Sequence, residues 1–105
     1  MYKYQLTIGL NDKITKKQEI TNEAAHLKLD DILLNHFGIY AYTKFNCLGC
    51  YKHDNGEIVN EKSIRLEIAS DKNMRKDIYT LVRTLKRIFN QESIMVEISE
   101  SNITF

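Results

Sequence analysis

The tract Asp54-Asn55-Gly56 constrains this chain more than any other feature. It lies near the middle, between two stretches with strand character, and Asn-Gly accepts the positive φ angles that a tight hairpin requires. On the N-terminal side, Ile39 to Lys52 is rich in Tyr, Phe, Thr and Cys, and Phe45, Cys47, Gly49 and Tyr51 share one parity. On the C-terminal side, Ile64, Leu66 and Ile68 point one way, and Ser63, Arg65 and Glu67 the other. Two central strands are thus paired to each other, and whatever flanks them must pack on that hairpin.

The flanks mirror each other. Tyr2, Tyr4, Leu6, Ile8 and Leu10 alternate with Lys3, Gln5 and Thr7, which reads as a half-buried strand. Asn11 to Glu19 carries no period and reads as a loop. Thr21 or Asn22 caps a helix whose stripe is Ala25, Leu29, Ile32, Leu33 and Phe37, and Gly38 ends it. Beyond the hairpin, Ser70 or Asp71 is expected to start a second helix with the stripe Met74, Ile78, Leu81, Val82, Leu85, Ile88 and Phe89. Asn90 stops it, and Ile94, Val96 and Ile98 mark a last strand that the tail Ser101 to Phe105 extends. The order βαββαβ predicts an α+β, ferredoxin-like domain: a four-stranded antiparallel sheet with two helices on one face. At 105 residues the chain has room for one such core, so residues 1–105 form a single domain.

Composition excludes several partners. The net charge of +1 is too small for duplex nucleic acid or an anionic membrane surface. The start, MYKYQLTIGL, has no leader pattern and no apolar run approaches a membrane span, so a cytoplasmic location is expected. The absence of Pro and Trp, with many Lys, Asn and Ile, points to an AT-rich coding sequence of a low-GC bacterium or its phage.

Chemical motifs are sparse. Cys47-Leu48-Gly49-Cys50 matches C-x-x-C, but on a strand the two thiols point to opposite faces, and zinc would need further ligands that the spacing does not supply. His26, His36 and His53 have no evident base or nucleophile beside them, and no P-loop, nucleophile elbow or dinucleotide fingerprint is present. No catalytic residue, metal or cofactor is therefore expected. RNA stacking is disfavoured, because the central strands place Lys3, Gln5, Thr7, Arg65 and Glu67 on the open face instead of an aromatic pair. The segment Phe89-Asn90-Gln91-Glu92-Ser93 is unusually polar for a link between a long helix and a strand, which suggests a pocket rim.

Ile8-Gly9-Leu10, Gly49-x-Tyr51, Gly56-x-x-Val59-x-Glu61-x-Ser63 and Phe89-x-Gln91-Glu92-Ser93 occur in an order and spacing that resemble a family of small bacterial and phage proteins of unknown function. By type, the chain also resembles small phage counter-defence proteins: the anti-Thoeris sponges that sequester a nucleotide signal, and the anti-CRISPR proteins. That resemblance implies a non-enzymatic, homo-oligomeric protein that sequesters a small anionic nucleotide-like ligand. Arg65 and Arg87 would take its phosphate charge, Tyr51 or Phe89 would stack on its base, and Asn90, Gln91 and Ser93 would give polar specificity. The alternative is a protein-binding inhibitor or adaptor that meets a host defence protein through its sheet face or edge.

Overall fold

A computed structural model describes residues 1–100. Its elements are β1 (Tyr2–Gly9), α1 (Asn22–Asp31), a π-helical turn (Ile32–His36), β2 (Tyr42–Lys52), β3 (Ile58–Ser70), α2 (Arg75–Ile88) and β4 (Met95–Glu100). The sheet is antiparallel in the order β2-β3-β1-β4, which is the expected βαββαβ architecture. The apolar parity of each strand decides what the sheet buries. Tyr4, Leu6, Ile8, Ile64, Leu66 and Ile68 are fully buried in one cluster with Leu29, Leu33, Ile78, Leu81 and Leu85 from the helices. Both helices therefore cover the same face. Among the described residues, no helix is long and apolar enough to cross a membrane.

Local details depart from the sequence pattern where a side chain intervenes. Thr21 caps α1 as expected, accepting from the Ala24 N–H at 3.1 Å. The helix does not run evenly to Phe37 but widens into the π turn, in which the Phe37 N–H reaches the Ile32 carbonyl. The second helix starts not at Ser70 or Asp71 but at Arg75, since Ser70 completes β3. The buried Tyr4 hydroxyl accepts the Met74 N–H at 2.7 Å and Asn73 Oδ1 accepts the Arg75 N–H, so the first orphan donors of α2 find partners here. Asn90, at φ 48°, ends α2: its N–H reaches the Arg87 carbonyl, and the Gln91 N–H reaches the Lys86 carbonyl at 2.8 Å. That is a Schellman closure with Asn in the left-handed position. The expected extension of the last strand through 101–105 lies outside the described residues.

One feature of register positions the site. β1 pairs with β3 only as far as Gly9 opposite Ser63, whereas β2 and β3 stay paired out to Lys52 opposite Ile58. The β2–β3 hairpin therefore projects past the end of β1 as a two-stranded ribbon. The space between that ribbon and the end of β1 is left to loops.

Candidate functional site

A cleft of about 970 Å³ opens at the base of the ribbon, on the helix-free face of the sheet. Its floor is Gly9 of β1 with Glu61 and Ser63 of β3, and its ribbon side carries Gly49 and Tyr51. The remaining walls are the strap formed by residues 11–18 and the link Gln91-Glu92-Ser93 that leads into Met95.

Glu61 is the centre of this arrangement. Its carboxylate accepts the Asn11 N–H at 3.0 Å and lies directly over Gly9. A Cβ on Gly9 would stand 2.8 Å from the carboxyl carbon and from both oxygens, so the glycine supplies the space in which the carboxylate sits. Across the ladder Glu61 faces Gly49, whose lack of a side chain leaves that flank open. Gln91 is buried, and its Nε2 donates to the Asn11 carbonyl at 2.6 Å and to the Phe89 carbonyl at 3.2 Å. Strap, helix end and β3 thus converge on the backbone of Asn11. Tyr51 is half exposed, and its ring meets the edge of His53 at 5.4 Å.

The cleft has both signs of charge. Lys13, Lys16 and Lys17 approach from the strap, and Glu57, Glu61 and Glu92 from the other sides. Among the described residues, none of these six is within ion-pair distance of another charged side chain. A lining of this kind suits a zwitterion better than a simple anion. Asp12 is held below its ordinary value of 3.8, chiefly by the Asn90 side-chain amide and then by the Thr15 and Ile14 N–H groups. Among the described residues, no three His, Cys, Asp or Glu side chains converge as metal ligands would.

The structure brings Tyr51, Gln91 and Ser93 of the expected ligand residues into this cleft. Asn90 stands behind its wall. Arg87 lines, with Asn90, Arg83 and Lys86, a shallow depression that adjoins the cleft and shares Lys13, Gln91 and Glu92 with it. Phe89 is 7% exposed and packs into the core, so its ring presents no stacking surface. Arg65 is half-buried on the open sheet face between Thr7 and Phe45, and its Nε has no partner. Glu61 and Gly9, quoted in the sequence motifs without a role, are the residues that sequence reasoning missed. Only their joint placement by the β1–β3 register reveals them.

The S-Adenosylmethionine lyase family model matches residues 14–105. A phage SAM lyase in complex with S-methyl-5'-thioadenosine is similar at 25% identity, over 94% of this chain and 80% of that one, with a TM-score of 0.72. A phage SAM lyase in the apo state shares the fold at 24% identity, over 93% of this chain and 78% of that one, with a TM-score of 0.68. No curated protein matches. The family match overturns two expectations from sequence. The chain falls in a family with a known chemistry, not in one of unknown function, and that family is enzymatic, which replaces the reading of a non-enzymatic sequestering protein.

Proposed function

The chain belongs to the S-adenosylmethionine lyase family, and from that premise we propose that it cleaves S-adenosylmethionine to S-methyl-5'-thioadenosine in the Glu61 cleft. The observation that carries this reading is the mixed-charge cleft built around Glu61, Gly9 and Gln91. Its volume suits a nucleoside-sized molecule. The amino-acid portion of the substrate is a zwitterion, which matches lysines on one wall and carboxylates on the others. Tyr51 offers an exposed ring for the adenine, and Ser93 a hydroxyl for polar contact at the rim. Neither substrate nor product carries a phosphate, and neither Arg65 nor Arg87 lines the cleft, so the phosphate role expected of them has no place in this reaction.

The chemistry balances without a cofactor. The bond between sulfur and Cγ of the amino-acid chain breaks, and its electron pair passes to sulfur, which leaves as a neutral thioether. Cγ takes a replacement pair from the substrate's own carboxylate, closing a five-membered lactone. That route asks the protein for no nucleophile and no base. It asks for a folded substrate conformation, which is a positioning task. A carboxylate set against the sulfonium would stabilise a charge that the reaction destroys, and so would favour the ground state. The α-ammonium keeps its charge throughout, and Glu61 is assigned to it.

Consuming a methyl donor keeps the counter-defence setting that the resemblance by type implies, with catalysis in place of sequestration. Phe45 and Met95, about half exposed on the same open face, support the homo-oligomer expected from sequence. The test is direct: purified protein is incubated with S-adenosylmethionine, and both fragments are followed by chromatography and mass spectrometry. Methylthioadenosine and a lactone in equal amounts are expected over many turnovers. Homoserine carrying solvent oxygen from the start would replace the intramolecular route with hydrolysis. Stoichiometric binding without product would refute the enzyme.

A further inference from the structure

The strap lacks an apolar anchor of its own: Ile14, its one large hydrophobic residue, is 74% exposed. At its far end Gln18 Nε2 donates to the Ile20 carbonyl at 2.7 Å and to Asn22 Oδ1 at 2.8 Å, and its first three residues are held over the cleft by four polar ties to the rest of the fold. The Asn11 N–H donates to Glu61, and the Asn11 carbonyl accepts from Gln91. The Lys13 N–H donates to the Asn90 carbonyl at 3.0 Å, and Asn90 Nδ2 donates to Asp12 Oδ2 at 2.7 Å. Two of the four ties therefore run through Asn90. That residue also closes α2 in the left-handed conformation and immediately precedes Gln91. Asp12 then shapes the strap from within. Its Oδ1 accepts the Ile14 and Thr15 N–H groups, and its carbonyl accepts the Lys16 N–H at 2.8 Å.

We propose that Asn90 is a positioning residue that latches the strap through Asp12 and so fixes Lys13, Lys16 and Lys17 against the carboxylate end of the substrate. This rests on the cleft being the substrate site. Asn90 touches no substrate in this scheme. It transmits the fixed end of a helix to the middle of a segment whose other ties lie at its two ends, Asn11 and Gln18. Asn suits both duties, since it tolerates the left-handed backbone and carries an amide that can donate to a carboxylate. The lysines recognise the amino-acid half of the substrate, which the methylthioadenosine product lacks.

The latch is tested by exchanging its two ends. In Asp12→Asn an amide N–H₂ faces another N–H₂, or the internal turn loses its acceptor. In Asn90→Asp two carboxylates face each other. In the double variant D12N/N90D the pair is restored with donor and acceptor reversed, and the amide oxygen introduced at position 12 still accepts from Ile14 and Thr15. Each single variant is expected to raise KM for S-adenosylmethionine about tenfold, the loss of one charge-assisted hydrogen bond. The kcat should stay within about threefold and methylthioadenosine affinity within about twofold, and the double variant should return KM to near wild type. Hydrogen exchange at the Lys13 and Lys16 amides gives a readout independent of activity: protection is lost in the singles and regained in the double. Singles with wild-type KM and protection, or a double no better than the worse single, would overturn the latch. A wild-type protein that makes no methylthioadenosine, yet shows the exchange pattern, would instead overturn the substrate assignment and leave the latch standing.

Discussion

Adding one methyl group at Gly9 separates the stability of this fold from the work of its cleft. In Gly9→Ala the new Cβ would sit 2.8 Å from three atoms of the Glu61 carboxyl group, well inside any tolerable contact. Backbone does not have to move, because the obstructing atoms are the far end of a flexible side chain. Glu61 swings aside, and the Asn11 N–H loses its acceptor. A hydrogen bond to a charged group contributes about 1.5–3 kcal/mol, and this one is only part-buried, so a stability loss near the lower figure, about 1.5 kcal/mol, is expected. The cleft loses more. A carboxylate displaced by about 1 Å from its working position costs about a hundredfold in rate where catalysis is positioning. Urea denaturation measures the first quantity, and kcat/KM from methylthioadenosine formation the second. Shortening the acid should relieve the clash, so Gly9→Ala should cost less in a Glu61→Asp background than in wild type, a non-additive pair. Wild-type kcat/KM in Gly9→Ala would refute the reasoning, as would an activity loss that merely tracks the unfolded fraction.

Other expectations follow from the same contacts. Glu61→Gln keeps shape but removes the charge that holds the α-ammonium, and should lower kcat/KM by about a hundredfold, mainly through KM, while the thermal midpoint moves little, as read by product formation and calorimetry. Arg65→Met and Arg87→Met should both leave product formation within about twofold, because neither guanidinium reaches the cleft; a tenfold loss in either would reopen the phosphate-type reading. Phe89→Ala should destabilise by about 3–5 kcal/mol in urea titration, as expected for an aromatic ring removed from a core. Tyr42 donates to Asp30 at 2.7 Å, and burial together with that carboxylate pushes its phenol up to about 12 from 10.0. A folded-state value above the unfolded one adds stability that is complete below pH 10 and lost as pH rises toward 12. Alkaline titration of the thermal midpoint should show that loss in wild type, and Tyr42→Phe should flatten it.

The fold was legible because its signals are local and agree with one another. Alternation in β1 and β3, the helical stripe ending at Phe89, and the Asn-Gly turn each bias a short segment, and together they leave one topology. The stripe also carried the correction at Phe89. A residue in phase with Leu81 and Leu85 is core first, and its place beside a polar link does not expose it. The site was less legible because it is made by register. Glu61 and Gly9 are 52 positions apart and meet only because Gly9 pairs with Ser63, two residues along β3. No period in either segment announces that contact. Asn11 and Gln91 are further apart still, and their bond at 2.6 Å depends on where α2 stops.

The misreading of the chain as a non-enzyme has a chemical cause. A search for triads, metal ligands and paired acids finds enzymes whose protein supplies the reacting groups. In the reaction proposed here, the substrate carries both partners of the bond exchange: a carboxylate as nucleophile and a sulfonium as leaving group. The protein then has only to fold the substrate on itself, hold a charge that does not change, and keep water from competing at Cγ. Such a site needs a carboxylate with room around it, a ring to stack on and a strap held in one place. Gly9, Tyr51 and the Asn90–Asp12 contact provide these without any residue whose type alone marks it as catalytic. In a cleft of this kind, space and hydrogen bonding carry the functional signal, so a glycine is as informative there as a histidine is in a hydrolase.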